Sequence, residues 1–477
     1  MPAGFSTTDT VAAIATAAGE SGIGIIRISG EEALSIADRV LDRSILDAGA
    51  YTIHYRHAVT CSCDNVENVS CAFPGRIQEK REILDDVLVS VMLAPHSYTG
   101  ENTVEINCHG GSLVLQRVLE EVLKAGARPA GPGEFSKRAF LNGKMDLSQA
   151  EAVMDLIQAK NRYAMEAAVS QLQGGLSDKV RELREEILNE TAWIEAALDD
   201  PEHYDLTGYP EELGKKLGIL VRRLENLIEN AESGKVMKEG ISTVILGKPN
   251  AGKSSLLNLL AGEDRAIVTE IAGTTRDTLT EHIRMAGLSL NLTDTAGIRE
   301  STDRVEQIGV EKARKAAADA DLLLVMIDGS VPLDKEDREI LASSEGKQAV
   351  ILLNKSDLPQ IVTAEEIGKM SEHKVIVFSA KDGTGLPEME ETVRYMFYHN
   401  EINFNDQIYV TSARHKNALE QALRSLKLVQ NSISQGLPED FFSIDLQDAY
   451  QSLGEITGET VGDDVIDRIF ERFCTGK

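Results

Sequence analysis

Hydrophobic positions change their spacing along the chain, and these changes separate regions of different secondary structure. Ile23–Ser29 and Asp86–Leu93 are short apolar runs of strand length, whereas Gly111–Lys124 carries its apolar residues on one face of a helix. Strands and short helices alternate in this way from about residue 10 to residue 142. The pattern predicts an α+β domain at the N-terminal end.

Helical spacing then runs from Leu147 to about Gly234 almost without a break, and it returns from Ala413 to the end of the chain. One stretch shows it clearly, with apolar or small residues three or four positions apart at Leu176, Val180, Leu183, Ile187 and Thr191. These two stretches predict a single helical domain that is built from separated parts of the sequence.

Strands and helices alternate again between the two helical stretches. A domain whose termini lie close together can be inserted into another domain, and a chain of 477 residues is long enough for about three domains. The predicted fold is therefore multidomain, with an α+β N-terminal domain, an all-α helical domain and an inserted α/β domain. The boundaries we expect are 1–142, 143–236 for the first helical part, 237–400 for the insertion and 401–477 for the second helical part.

A phosphate-binding loop of the form G-x-x-x-x-G-K-[ST] lies near the start of the predicted insertion, at Gly247–Ser255. It follows the apolar strand Ser242–Leu246 and precedes a helix that the apolar pattern predicts over Ser255–Gly262. In such a loop the glycines let main-chain N–H groups curl around phosphates, Lys253 supplies positive charge, and the hydroxyl of Ser254 binds Mg²⁺. The match in both sequence and context predicts a P-loop nucleotide-binding domain.

Two later motifs indicate that the nucleotide is guanine. Asn354–Asp357 follows the buried strand Ala349–Leu353, and Asp357 can accept two hydrogen bonds from the N–H edge of guanine. Adenine lacks that edge, so it would leave the carboxylate unpaired. The segment Phe378–Lys381 follows a further strand, and its main-chain N–H groups suit the guanine carbonyl oxygen.

Two segments between these motifs resemble the switches of GTP-hydrolysing proteins. Asp294 ends an apolar strand and is followed by Gly297, while Thr275 in the loop Thr269–Asp277 offers a second hydroxyl to magnesium. The residue after Gly297 is aliphatic, Ile298, so it cannot orient an attacking water. Hydrolysis then needs another polar group.

Glu306 is the candidate for that group, and Arg276 and Arg299 are less favoured stabilisers of developing charge. An ordinary solvated carboxylate at a helix start remains an alternative for Glu306. The predicted nucleotide site comprises Asn250, Ala251, Gly252, Lys253, Ser254, Ser255, Thr269, Glu270, Ile271, Ala272, Gly273, Thr274, Thr275, Asp294, Thr295, Ala296, Gly297, Asn354, Lys355, Ser356, Asp357, Ser379, Ala380 and Lys381.

Charge and cysteine content restrict the partners and the compartment. The formal net charge of −28 disfavours non-specific binding to nucleic acid. No apolar run long enough to span a membrane and no signal-like start is present, so we expect a cytoplasmic protein. Five cysteines fit a reducing compartment, and the spacing of Cys61, Cys63 and Cys71 matches no zinc pattern.

The chain resembles the MnmE (TrmE) family of tRNA modification GTPases over essentially its whole length. The resemblance rests on strings outside the nucleotide motifs: Gly24–Gly30, Ser97–Glu105 with His109–Gly111, Arg128–Ser136 followed by Arg138–Lys144, Gly273–Asp277 and the terminal Phe473–Lys477. One departure is Thr475, where family members more often have an aliphatic residue.

For the N-terminal domain, the resemblance implies dimerisation and the binding of a tetrahydrofolate derivative, in its 5,10-methylene or 5-formyl form, as a one-carbon donor. The folate pocket would be lined by Arg27, Glu105, Lys144 and the C-terminal Lys477. A basic residue can meet the glutamate carboxylates of folate, and Glu105 can accept hydrogen bonds from the pterin. Without the resemblance, these four charged residues would be interpreted as ordinary surface residues.

For the nucleotide domain, the resemblance implies hydrolysis of GTP to GDP with K⁺ in the place of an arginine finger. Asn250, Thr269, Ile271 and Thr274 would bind the potassium ion, alongside Mg²⁺ at Ser254 and Thr275. Glu306 matches the catalytic glutamate of the family, which agrees with the reasoning from Ile298.

The resemblance also implies a homodimer that acts with the flavoprotein MnmG (GidA) in a heterotetramer. Together they add an aminomethyl or carboxymethylaminomethyl group at C5 of the wobble uridine of certain tRNAs, and the tRNA would be bound largely by the partner. Cys474 could attack uridine C6, but no base that would lower its pKa is evident, so a structural role is preferred. Two further readings stay open: a GTPase that times ribosome assembly, and an aminomethyltransferase whose GTPase is only regulatory.

Overall fold

The chain divides into two compact units in the computed structural model. The structure describes residues 9–17, 19–61, 81–200, 202–204, 206–260, 262, 280–285, 287–293, 317–318, 320–397 and 408–476. The first unit combines residues 1–154 with 454–477, and the second comprises residues 155–453. The domain boundaries drawn from the sequence stay a prediction, since the second unit holds both helical and nucleotide regions.

The first unit is built on a six-stranded sheet with the strand order β3-β4-β5-β2-β1-β6. Its strands pair antiparallel, except that β1 and β6 run parallel. The strands are β1 Val11–Ile14, β2 Ser21–Ser29, β3 Thr52–Val59, β4 Ile83–Met92, β5 Thr103–Gly110 and β6 Arg128–Pro129. The helices are α1 Ala33–Arg39, α2 Ser112–Lys124, α3 Glu134–Leu141, α4 Leu147–Gln158, which continues into the second unit, and, near the C-terminus, α14 Asp463–Phe470.

The core of the first unit lies where α1 and α2 cover the apolar side chains of the sheet, such as Ile26, Val89 and Ile106. Antiparallel strands of this kind alternate buried and less buried residues, as β4 does from Val87 to Met92. A smaller cluster joins α4 to the C-terminal helix α14 through Leu147, Phe470 and neighbouring residues. Residues 140–154 and the C-terminal residues 461–473 therefore share one hydrophobic cluster.

The second unit contains a six-stranded sheet in the order β12-β11-β10-β7-β9-β8, parallel except for the β8–β9 hairpin. Its strands are β7 Ile241–Leu246, β8 Thr280–Met285, β9 Leu288–Thr293, β10 Leu322–Asp328, β11 Ala349–Asn354 and β12 Lys374–Val377. The described helices are α5 Arg162–Leu172, α6 Gly175–Asp199, α7 Tyr209–Glu239, α8 Lys253–Leu260, α9 Lys335–Ser343, α10 Ala364–Gly368, α11 Leu386–Phe397, α12 Ala413–Ser434 and α13 Asp440–Thr457, which ends in the first unit.

Central strands of this sheet are continuous apolar runs, because helices cover both faces of a parallel sheet. All six residues of β11 are buried, as are the first six of β10. The carboxyl ends of β7, β11 and β12 are the places where the phosphate loop, Asn354–Asp357 and Phe378–Lys381 begin. The observed architecture confirms the predicted fold class, and α8 begins at Lys253, two residues earlier than the apolar pattern indicated.

Candidate functional site

The phosphate loop connects the carboxyl end of β7 to the start of α8. Its backbone enters the left-handed region at Gly247 (φ 155°), Asn250 (φ 66°) and Gly252 (φ 106°). A Cβ atom at Gly252 would lie 2.2 Å from Asn354 Nδ2, and one at Gly247 would lie 2.6 Å from the carbonyl oxygen of Met326. Glycine is therefore required at both positions by conformation and by space.

The lysine of this motif is held by the loop itself. Lys253 Nζ donates hydrogen bonds to the carbonyl oxygens of Gly247 (2.6 Å) and Lys248 (2.8 Å). These two bonds hold the ammonium group against the main chain of the loop, where it can meet a phosphate. Ser254 and Ser255 are exposed in the first turn of α8, and Ala251 is buried.

Asn354 links the phosphate loop to the segment Phe378–Lys381. It is buried at the end of β11, its Nδ2 donates to the carbonyl oxygen of Ala251 (2.7 Å), and its Oδ1 accepts from the N–H of Ala380 (2.9 Å). One side chain thereby sets the spacing between the loop that would bind phosphates and the segment that would bind guanine. The structure thus brings the predicted residues of three separate motifs together.

Asp357 lies beside that segment with both carboxylate oxygens in long contacts. Ser379 Oγ is 3.4 Å from Oδ1, and Lys381 Nζ is 3.4 Å from Oδ2. Bonds of this length are weak, so the carboxylate retains the capacity to accept shorter bonds from a ligand. Ser356 N donates to the carbonyl oxygen of Phe378, which holds the two segments together.

Lys355 reaches a carboxylate that the sequence analysis did not single out. Its backbone has φ 65°, and its Nζ donates to Asp328 Oδ2 at 2.6 Å. Burial disfavours the charged form of Asp328, but hydrogen bonds from Lys355 and Ser330 outweigh this effect and lower its pKa. The signal for Asp328 was its place at the end of a buried strand, next to the motif-bearing strand β11.

Several predicted site residues lie outside the described part of the chain. They are Thr269, Glu270, Ile271, Ala272, Gly273, Thr274, Thr275, Asp294, Thr295, Ala296, Gly297, Glu306 and Lys477. Ile298, Arg276 and Arg299 lie outside it as well. Their assignments stay predictions.

The described residues fit a polyphosphate. A loop with three residues at positive φ, to whose main chain a lysine is bonded, can bind an anion through its N–H groups. Ser254 for magnesium and Asn250 for potassium are the members of the two predicted metal shells that the structure describes. Both side chains belong to the phosphate loop, as those roles require.

Two of the four residues predicted for the N-terminal pocket meet across neighbouring strands. Arg27 on β2 donates from Nε to Glu105 Oε1 on β5 at 2.8 Å, and both side chains are largely buried. The guanidinium lies over the rings of Tyr98 (5.3 Å) and Phe135 (5.5 Å), two contacts that the sequence motifs did not reveal.

The other two residues predicted for this pocket are Lys144 and Lys477. Lys144 is exposed and donates from Nζ to the carbonyl oxygen of Pro95 (3.2 Å), while Lys477 lies outside the described residues. Its neighbour Gly476 does reach the pair, since its carbonyl oxygen accepts a bond from Arg27 at 3.4 Å. The C-terminal segment thus approaches Arg27 through its backbone.

That segment is fixed on the N-terminal domain. Thr475 forms a β-bridge with Pro132, the N–H of Gly133 donates to the carbonyl oxygen of Cys474, and the Cys474 side chain is exposed. Gly133 has φ 64°, and a Cβ there would lie 2.5 Å from the carbonyl oxygen of Phe470. The loop before α3 can therefore approach the chain end so closely only with glycine at this position.

Within the described residues, no group of three or more His, Cys, Asp or Glu side chains is arranged to hold a metal ion. Cys61 is described, whereas Cys63 and Cys71 are not. Over the same described ranges, every helix is too short or too polar to cross a membrane.

Comparison with known proteins decides the family. The family described as the MnmE helical domain matches residues 147–474, and the family described as the GTP-binding protein TrmE N-terminus matches residues 10–144. A tRNA modification GTPase MnmE of Lachnoclostridium phytofermentans is 50% identical over 98% of this chain and 100% of its own length. The chain belongs to the MnmE family of tRNA modification GTPases.

A second MnmE, from Alkaliphilus metalliredigens, is 46% identical over 98% of this chain and 99% of its own length. A solved structure of Aquifex aeolicus Era bound to GDP·AlF4⁻ is 29% identical over 39% of this chain and 67% of that chain, with a TM-score of 0.27, and contributes nothing to the assignment. Membership in the MnmE family confirms the predicted family, the guanine nucleotide as ligand and the enzyme class, a GTP hydrolase tied to tRNA modification.

Proposed function

We propose that this chain is a potassium-activated GTPase that works with the flavoprotein MnmG to modify C5 of the wobble uridine in tRNA. Its N-terminal domain would bind a tetrahydrofolate derivative that supplies the one-carbon unit. The added group would be aminomethyl or carboxymethylaminomethyl. The proposal places a homodimer of this chain with MnmG in a cytoplasmic heterotetramer.

The observation that carries the nucleotide part is the link made by Asn354. It connects the phosphate loop to the Ser379–Lys381 segment, so the spacing between phosphate and base sites is fixed by two hydrogen bonds. GTP would place its phosphates on the loop beneath Lys253 and its base against Asp357. Mg²⁺, held by Ser254 and Thr275, would neutralise phosphate charge during hydrolysis.

Asn250 supports the potassium part of the proposal. It holds the left-handed conformation at φ 66° inside the phosphate loop, a region that Asn adopts more readily than most residues. A K⁺ ion there, shared with Thr269, Ile271 and Thr274, would supply positive charge beside the phosphates in the place of an arginine. Glu306 would orient the attacking water.

Arg27 and Glu105 support the folate part. Their pairing keeps a positive and a negative group side by side in a partly enclosed site, and the aromatic rings of Tyr98 and Phe135 flank the guanidinium. Arg27 can bind a folate carboxylate, and Glu105 can accept from pterin N–H groups. Lys144 and Lys477 would add positive charge at the rim of this pocket.

The charge of the chain supports a division of labour on tRNA. With a net charge of −28 the chain repels polyanions at long range, so MnmG would provide most of the surface that binds the RNA. The chain would contribute the GTP-driven cycle and the folate site.

Two measurements test the proposal. GTP hydrolysis by the purified chain should rise strongly when KCl replaces NaCl at equal ionic strength, and equal rates in both salts would remove the role assigned to Asn250. In cells that lack the protein, nucleoside analysis of tRNA should show loss of the C5 modification at the wobble uridine. Unchanged nucleosides would exclude the proposed pathway and favour a GTPase of ribosome assembly.

Replacement of Glu306 tests the hydrolytic mechanism. Glu306→Ala should slow GTP turnover about 10²-fold or more while nucleotide affinity stays near that of the wild type, since a water-orienting carboxylate acts mainly in the transition state. Single-turnover hydrolysis and fluorescent nucleotide binding measure the two quantities separately. Turnover at the wild-type rate would make Glu306 an ordinary surface carboxylate.

A further inference from the structure

The first variable residue of the phosphate loop, Lys248, has a side chain directed away from the nucleotide site. Its Nζ lies 2.8 Å from Asp334 Oδ2 and 2.7 Å from Asp337 Oδ2, and only 16% of the side chain is exposed. Neither aspartate belongs to any nucleotide motif. Lys248 therefore connects the phosphate loop to the N-terminus of α9.

The two carboxylates that receive Lys248 are held in place by α9. Asp334 is the N-cap of this helix, its Oδ1 accepts from the N–H of Asp337, and Asp337 Oδ2 accepts from the N–H of Asp334. Such a reciprocal capping box fixes both side chains relative to the backbone. Asp337 is only 3% exposed, so its charge depends on a partner cation.

The main chain of Lys248 positions the phosphate-binding lysine. Its carbonyl oxygen accepts from the N–H of Ala251 (3.2 Å) and from Lys253 Nζ (2.8 Å). The residue that is anchored through its side chain thus also fixes, through its carbonyl group, the tight turn of the loop and the position of the Lys253 ammonium group. A shift of Lys248 would move both.

We propose that Lys248, Asp334 and Asp337 form an ion-paired anchor that holds the phosphate loop in its nucleotide-binding geometry and slows the release of bound guanine nucleotide. Lys248 is a positioning residue that acts through Lys253 and the loop backbone. Hydrogen bonds from Lys248 to the two aspartates also raise the pKa of Lys248, so this lysine stays charged throughout the physiological pH range. The inference rests on the proposed binding of GTP and GDP.

The test compares the release of a fluorescent GDP analogue from the full-length chain by stopped flow, with excess GDP as competitor. Lys248→Met removes the charge but keeps the length of the side chain, and it should speed release on the order of 10-fold, the effect of losing about 1.4 kcal/mol of coupling. Lys248→Arg should keep release near the wild-type rate, because it retains the cation. The matched control is Lys335→Met. Lys335 lies on α9, the helix that carries Asp337, and it is 92% exposed and pairs only with Glu339 in the described contacts.

A double-mutant cycle separates the anchor from general destabilisation. Asp337→Asn should speed release in the wild-type background but add little in the Lys248→Met background, because both changes break the same contact. Effects that simply multiply, or a release rate that Lys248→Met leaves at the wild-type value, would overturn the inference. Thermal unfolding of each variant checks that the domain is folded.

Different results would refute the proposed function and the Lys248 anchor. Failure of the wild-type chain to bind any guanine nucleotide would refute the proposed function itself. Normal binding by the wild type with unchanged release from Lys248→Met would refute only the anchor.

Discussion

We propose that a single carboxylate, that of Asp357, carries the choice of base. Guanine presents two adjacent N–H donors and adenine does not, so selectivity depends on whether a carboxylate with spare acceptor capacity faces the base. Asp357 has that capacity, because its contacts with Ser379 and Lys381 are both 3.4 Å long. The side chain of the nearby Lys355 pairs with Asp328 and not with Asp357.

Asp357→Asn should therefore weaken GTP binding and shift preference toward xanthosine nucleotides, whose base replaces the exocyclic amine by a carbonyl group. The loss for GTP should be about 10²-fold, as expected when a charged hydrogen-bonding partner is removed. Competition between GTP and XTP for a fluorescent nucleotide measures it. Glu388→Gln, which removes an exposed carboxylate from the same domain, is the control, and unchanged guanine selectivity in Asp357→Asn would disprove the assignment.

At the scale of elements, the N-terminus of α5 is fastened to the β8–β9 hairpin. Asn161 caps α5 by accepting from the N–H of Ala164 (2.8 Å), and its Nδ2 donates to Met237 O (2.9 Å) and Ser289 Oγ (3.1 Å). The buried amide of Asn161 thus connects α5 with α7, which contains Met237, and with β9, which contains Ser289. The hairpin turn at Gly287 also lies against the Tyr163 ring, where a Cβ would be 2.8 Å from Cε2.

Asn161→Ala should lower the free energy of unfolding of the second unit by about 2 kcal/mol or more, since it removes a helix cap and leaves buried partners unsatisfied. Thr363→Ala removes the cap of α10 in an exposed setting and should cost only about 1 kcal/mol. Urea unfolding and amide hydrogen exchange in β9 provide the comparison. Equal effects of the two substitutions would mean that the cross-element bonds of Asn161 contribute nothing.

Helix α3 is held by charge. The guanidinium of Arg138 is almost fully buried and bonds to Asp9, Glu101 and Glu134, and Glu134 also receives Arg128. Burial favours the neutral form of Glu134, but hydrogen bonds from Arg128, Gly131 and Arg138 prevail and lower its pKa below 4.5. The ionised form is therefore the one that stabilises the fold.

Because the pKa of Glu134 is lower in the folded state, its contribution to stability is present above about pH 4.5 and is lost as pH falls through the folded value. The wild type should be more stable than Glu134→Gln at pH 7, and the difference should shrink in acid. Urea midpoints of both proteins between pH 7 and pH 3 measure this. A difference that stays constant over the whole range would contradict the assignment.

At the scale of the whole molecule, the first unit depends on both ends of the chain. Phe470 in α14 is 2% exposed and packs with Phe140, Phe473 and Leu147. The contacts with Phe140 and Leu147 join residues that are more than 300 positions apart in the sequence. The same C-terminal segment brings Gly476 to Arg27.

Phe470→Ala should therefore destabilise the first unit by about 3–5 kcal/mol, the usual cost of truncating a buried phenylalanine. Amide exchange in α3 and β1 should accelerate, and the proposed binding of folate should weaken if Arg27 loses its neighbour Gly476. Phe441→Ala, which truncates a phenylalanine that is 49% exposed, should change stability by about 0.5 kcal/mol or less. Matching exchange rates in the two variants would show that the C-terminal helix is dispensable for the unit.

The predicted elements and the nucleotide motifs could be derived from the sequence, because each follows from a local requirement. A buried parallel strand must be a continuous apolar run, and a loop around phosphates must have glycine where φ is positive. Gly247, Gly252 and β11 show both rules. The boundaries were less certain, as the early start of α8 shows, because propensity changes gradually at a helix end.

The sequence by itself determined that this protein is a multidomain P-loop protein of the MnmE family with a guanine-specific motif. Only the tertiary structure decided that Asn354 joins the phosphate loop to the Ser379–Lys381 segment, that Lys248 pairs with Asp334 and Asp337, and that Arg27 contacts two aromatic rings and the C-terminal backbone. About a quarter of the residues are charged, so many ion pairs are compatible with the composition. The path of the backbone selects among them, because the partners come from segments that are distant in sequence and meet only when the sheets have formed.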